Sequence, residues 1–197
     1  MGRPAKLEQD EVLKRATRLL WAKGSDALST RDLEKALGLR APAIYRRFPS
    51  KNDLLARCVD HYVDTVIAAR VQRYLDGTDD PLQGLHDFFT STLQPYDCKP
   101  PLRGCLLANT AAHANGQVPE VRDAIFRGWG VIDCAFQQQI ARAQRAGQID
   151  TDLEPGALSQ ALVMSLEGLL TIVRASDTDM RPGVDMIFRL LRGPART

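Results

Sequence analysis

The sequence predicts an all-α protein of about nine helices, with a three-helix head at the N-terminus and a larger helical body behind it. Three observations lead there. Apolar residues return every three or four positions through nearly all of the 197 residues. No stretch of any length alternates with the period of two that a half-buried strand requires. Gly and Pro cluster between the periodic stretches, where helices end.

In the first stretch, Val12, Leu13, Ala16, Leu19 and Leu20 form one helical stripe, closed by Gly24. Ser29 or Thr30 can cap a second, short helix whose inner face is Leu33, Ala36 and Leu37, and Gly38 ends it. A third helix begins near Arg40, with Pro42 tolerated in its first turn. A long helix then runs from Lys51 to about Leu75, capped by Ser50. The breaks at 77–81 and 94–101 flank another helix, and a short one follows in RGCLLANTAAHA. A long helix from Glu120 to about Ala146 carries Val121, Ile125, Trp129, Ile132, Phe136 and Ile140. The strongly apolar stretch 157–176 and a last helix over 182–191 complete the body.

Charge divides the chain at residue 51. Residues 1–51 hold 12 Lys and Arg against 6 Asp and Glu, and residues 52–197 hold 14 against 18, so a head of +6 precedes a body of −4. The domains expected are therefore 1–51 and 52–197. A basic head suits a polyanion. In RAPAIYRRFPSK, residues 40–51, three Arg and one Lys stand with no acid among them.

Short helix, Gly turn, short helix is the helix-turn-helix pattern, whose second helix enters the major groove of double-stranded DNA. Arg40, Ala41 and Ala43 are the candidates for base edges, with Arg40 suited to guanine. Arg46 suits either base or phosphate. Thr30, at a helix start, offers a hydroxyl beside free amides, which suits a phosphate. Arg3 and Lys6 form a basic arm suited to an adjacent minor groove.

Several classes find no support. No metalloprotease, hydrolase or phosphate-loop motif occurs, so no enzyme is expected. No cofactor and no metal are expected either. The four cysteines, Cys58, Cys98, Cys105 and Cys134, show no metal-type spacing. No uncharged apolar run of 18 residues marks a membrane span and no export signal is apparent, so the expected location is the cytoplasm.

The segment TRDLEKALGLRAPAIYRRFPSKNDLL resembles the DNA-binding segment of the TetR family of bacterial transcriptional regulators. The likeness rests on Gly38, the Ala43-Ile44-Tyr45-x-x-Phe48 run and Ser50-Lys51-x-x-Leu54-Leu55. The RGCLLANTA run looks like a segment of one large subgroup, with His113 where an acidic residue is common. The resemblance implies a homodimeric repressor of a palindromic operator, with a small-molecule effector site in the body. It also implies phosphate contacts for Tyr45 and Lys51.

The candidate effector site is drawn from Tyr62, Phe88, Phe89, Cys105, Asn109, His113, Phe126, Trp129 and Met164, apolar walls with a few polar groups, each of which also suits plain core packing. Cys105 follows Arg103 near a helix start, a setting that favours thiolate, so a redox or electrophile sensor is the second expectation. The apolar stripe Leu162, Leu166, Leu169 and Val173, with Ile187 and Leu191, is expected to pair two copies. A helical binding protein that does not use DNA is the third reading.

Overall fold

The computed structural model describes residues 8–94 and 104–192, leaving aside the side chains of residues 114 and 115. Arg3 and Lys6 of the expected arm lie outside the described residues, as does most of the Pro-rich stretch 94–101. The helices are α1 (Gln9–Lys23), α2 (Thr30–Leu37), α3 (Ala41–Arg47), α4 (Lys51–Tyr62), α5 (Ala68–Tyr74), α6 (Pro81–Ser91), α7 (Leu106–Ala111), α8 (Pro119–Arg145), α9 (Pro155–Ala175) and α10 (Arg181–Leu191). A π turn at Val63–Ile67 carries α4 on into α5, so the described residues form nine helical rods and no strand. The all-α expectation holds.

Packing divides the chain into two compact units that do not follow chain order: residues 1–64 with 106–128, and 65–105 with 129–197. The division after residue 51 is one of charge and motif. The packing division is set by apolar faces, and it returns the segment from Leu106 to Gly128 to the unit that holds the basic head.

In the first unit, Val12, Ala16, Leu20 and Trp21 of α1 are buried with Leu33 and Leu37 of α2, Ile44 of α3, and Leu54, Leu55 and Val59 of α4. Trp21 meets Tyr62 edge to face at 4.9 Å. Thr17 Oγ1 donates to the Cys58 carbonyl at 3.2 Å, so a buried hydroxyl joins α1 to α4. Burial pushes the Cys58 thiol up to about 12, which makes it an inert packing group.

In the second unit, Phe88 and Phe89 of α6 pack on Phe136 of α8, and Phe89 packs on Phe188 of α10 at 5.2 Å. Gln139 is buried and donates to the Leu75 carbonyl, which ties α8 to the end of α5. Ser159 donates to the Asp133 carboxylate at 2.6 Å, joining α9 to α8.

The expected pairing stripe is corrected here. Leu162, Leu166, Leu169 and Val173 are all 7% exposed or less and belong to the core of their own unit. Ile187 and Leu191 are half-buried. Helix α9 is apolar nearly all round, so periodicity alone could not phase it. Beside the exposed polar Gln160, Thr171 and Arg174, its outward residues include Ala157, Ala161, Met164, Gly168, Ile172 and Ala175, a second stripe at helical spacing.

Candidate functional site

The basic head is built by local rules. Ser29 caps α2 by accepting from the Asp32 amide, and Asp32 accepts in return from the Ser29 amide. This reciprocal box satisfies two free amides at the helix start. Lys23 reaches Asp32 at 2.6 Å. The Lys23 ammonium, then the Ser29 donors, hold the Asp32 carboxyl well below the usual carboxylate range.

Gly38 ends α2 at φ +65°, a left-handed conformation that costs any other L-residue strain, and its amide donates to the Glu34 carbonyl. The chain can therefore turn sharply into α3. No side chain of Arg40 caps that helix. Glu34 does so from α2, its Oε1 accepting the Ala41 amide at 2.8 Å. Ile44 and Phe48, 1% and 0% exposed, anchor α3 from beneath.

With that face fixed, the rest point outward. Arg40, Tyr45 and Arg46 are exposed, and Ala41 and Ala43 are half-buried on the helix surface. Tyr45 Oη and Thr30 Oγ1 are 3.1 Å apart, so the structure brings two expected phosphate-contact residues to one point. Lys51 Nζ donates to the Ser25 carbonyl at 3.2 Å, pinning the loop between α1 and α2 to the start of α4. An ammonium has three donors, so two remain for an anion.

Sequence reasoning missed Glu34, Arg31 and Lys35. With Gly38, Leu39 and Arg40 they line an open cleft of about 450 Å³ along the α2–α3 turn. The outward position of Arg31 and Lys35 on α2 was legible in its period. The cap from Glu34 depends on the fold of the turn.

The expected effector residues fall into two groups. In the first unit, Tyr62 is buried against Trp21 as core. His113 Nδ1 lies 3.2 Å from Asp26 Oδ2 and is half-exposed, so it clasps the α1–α2 loop rather than lining an interior. A side chain at Gly24 would strike His113 Nε2 at 2.9 Å, and Gly24 itself has φ +81°. Phe126 is 60% exposed and lines no interior. Asn109 keeps a buried Nδ2 with no hydrogen-bond partner.

In the second unit, Phe89 is fully buried in the aromatic cluster, whereas Met164 is 69% exposed on the outer stripe of α9. Both Phe126 of α8 and Met164 of α9 point away from the interior, and for Met164 that is the error a helix apolar nearly all round invites. Cys105 and Trp129 do come together, on a residue the sequence reading passed over. Cys105 Sγ donates to Glu167 Oε1 at 3.4 Å, and Trp129 Nε1 donates to the same oxygen at 2.9 Å. Burial raises the Glu167 carboxyl above its ordinary value, against the lowering effect of these two donors. The Cys105 thiol donates to a carboxyl group, and α7 begins only at Leu106 and is six residues long, while Arg103 lies outside the described residues. A lone acid inside the apolar stretch 157–176 was the clue to Glu167.

Comparison with known proteins agrees with this geometry. Residues 12–58 match the family model described as bacterial regulatory proteins, tetR family, and residues 81–183 match that of the tetracyclin repressor-like C-terminal domain. The chain is 24% identical over 168 residues to the HTH-type transcriptional repressor ComR of Escherichia coli strain K12, covering 85% of this chain and 80% of that protein. Its fold is similar to a cysteine mutant of the TetR family regulator CifR solved with 26-base-pair operator DNA, with TM-score 0.83, 24% identity, and 96% and 100% of the two chains covered. It is also similar to the reduced form of E. coli NemR, with TM-score 0.80, 15% identity, and 94% and 97% covered.

Proposed function

The chain belongs to the TetR family of bacterial transcriptional regulators, and from that premise we propose that it is a cytoplasmic repressor that holds a palindromic operator as a homodimer and releases it when a small molecule binds. The observation that carries the DNA reading is the outward set of Arg40, just before α3, with Tyr45 and Arg46 on it, Tyr45 already bonded to Thr30. Phosphate contacts from Tyr45, Thr30 and Lys51 set the register, and Arg40, Ala41 and Ala43 meet base edges. The arm with Arg3 and Lys6 adds charge. A two-fold dimer matches a two-fold operator, and the outer stripe of α9 with Met186 and Leu190 of α10 offers the pairing surface. The effector shifts the equilibrium only by its differential affinity for the two states. No catalysis, cofactor or metal enters this scheme.

The test is a titration on the DNA upstream of the protein's own gene, with and without a mild thiol oxidant. Salt-sensitive binding to a palindromic site is the expected result. Absence of any such preference overturns the DNA reading. Replacing Arg40, Tyr45 and Lys51 together by Ala separates it from a helical binding protein that does not use DNA.

A sensor acting through Cys105 is the second reading, favoured by the 3.4 Å contact with Glu167. As the sulfur adds to the carbon of an activated alkene, the S–C bond forms and the thiol proton passes to Glu167 and on to the adduct carbanion. Full response to the electrophile in Cys105→Ser removes this reading.

A further inference from the structure

Glu167 stands in the middle of α9 beside Leu166, Leu169 and Leu170, all buried. Two donors from other segments, the Trp129 indole N–H and the Cys105 thiol, converge on Oε1. The other oxygen, Oε2, is buried and has no hydrogen-bond partner. No Lys, Arg or His pairs with this carboxyl among the described residues. Leaving a buried carboxylate without a countercharge and one donor short is costly, and such groups concentrate at functional sites. A purely structural Glu would be expected to satisfy both oxygens. Trp129 and Cys105 instead fix the orientation of the carboxyl, and so the direction in which Oε2 offers its lone pairs.

We propose that Glu167 is the recognition group for an effector that presents a protonated amine on an apolar chain, a reading that rests on the ligand-responsive regulator set out above. An ammonium supplies both missing items at once, the donor for Oε2 and the positive charge. Hydrogen bonds between two ionised groups are roughly twice as strong as neutral ones, so an alcohol of the same length is the weaker ligand. A carboxylic acid of that length, ionised at neutral pH, is excluded by like charge.

The probe is n-hexylammonium, with 1-hexanol and hexanoate as controls of matched length, measured by calorimetry and thermal shift on the full-length protein. The wild type should bind hexylammonium and ignore hexanoate. Glu167→Gln keeps the shape and loses the charge, and its affinity for hexylammonium should fall by about 30-fold or more. Trp129→Phe keeps an aromatic ring, though a smaller one, and loses the N–H that orients the carboxyl, and its affinity should fall by a smaller factor. A merely structural Glu167 predicts changed melting temperatures with unchanged hexylammonium affinity, and that outcome overturns the proposal. So does failure of the wild type to bind hexylammonium, or equal binding of all three probes. Operator titration of the same protein without any probe judges the regulator reading separately: retained DNA binding with no amine response sinks the subsite and leaves the regulator.

Discussion

Tyr45 shows what one hydroxyl can be asked to do. Its ring sits on the surface of α3 and its Oη is held by Thr30 Oγ1 at 3.1 Å, so the group is oriented before any phosphate arrives. Removing it in Tyr45→Phe should cost about 1 kcal/mol per subunit, or roughly 30-fold in the affinity of a dimer. The loss should be the same on operator and random DNA, because a phosphate contact reads no sequence. Arg40→Ala should behave differently. It should relax discrimination at one base pair per half-site by about 1–3 kcal/mol while sparing random DNA, and fluorescence anisotropy on both kinds of duplex separates the two outcomes. Asp32 gives a pH prediction. Its folded pKa is depressed, so its contribution to stability is present above the unfolded value near ~3.9 and is lost as pH falls through the folded value. Denaturant melts of wild type and Asp32→Asn should therefore differ at neutral pH and converge in strong acid. Arg40, Tyr45 and Arg46 were legible because they stand in a run without acids. Glu34 was not, since its bond to the Ala41 amide spans the turn at Gly38 and exists only once that turn is made.

Helix α9 marks the limit of periodicity. An amphipathic helix such as α1 declares its inner face, but α9 is apolar on both sides, and the reading that chose Leu162, Leu166, Leu169 and Val173 as the free face chose the core. The pairing surface proposed above is instead the exposed one of Met164, Gly168 and Ile172. The two faces have different mutational signatures. Leu166→Ala should destabilise the fold by about 2–5 kcal/mol, read in urea melts. Met164→Lys should leave the fold near wild-type stability at matched monomer state, yet shift the protein toward monomer in sedimentation velocity, because it buries a charge only when two copies meet. A monomer from Leu166→Ala with no loss of stability would reverse this assignment. The turn between α2 and α3 was readable throughout: Gly38 was placed there from sequence and adopts φ +65°. Its replacement by Ala meets no neighbouring atom within 4 Å, so the cost is backbone strain alone, about 1–2 kcal/mol.

For the whole chain, charge and packing tell different stories, and both bear on DNA. The +6 of residues 1–51 against the −4 of the remainder is legible without any structure. The packing division could not be found that way, because Leu106, Leu107, Ala124 and Ile125 join the first unit through apolar burial, which no charge count records. Electrostatics should nevertheless govern the measured affinity. Each phosphate neutralised releases counterions, so log K falls with log salt at about 0.9 per contact. About six contacts per dimer give a slope near −5. Lys51 has one donor engaged with the Ser25 carbonyl and should give up about one phosphate contact per subunit when replaced, so Lys51→Ala should flatten the slope by about 2 for the dimer. Two effects compete in that variant, since releasing the α1–α2 loop would also lower affinity without touching the slope. Measuring K at four or five salt concentrations distinguishes them: a flatter line means that the ammonium meets phosphate, and a parallel, lower line means that Lys51 serves only to hold the loop.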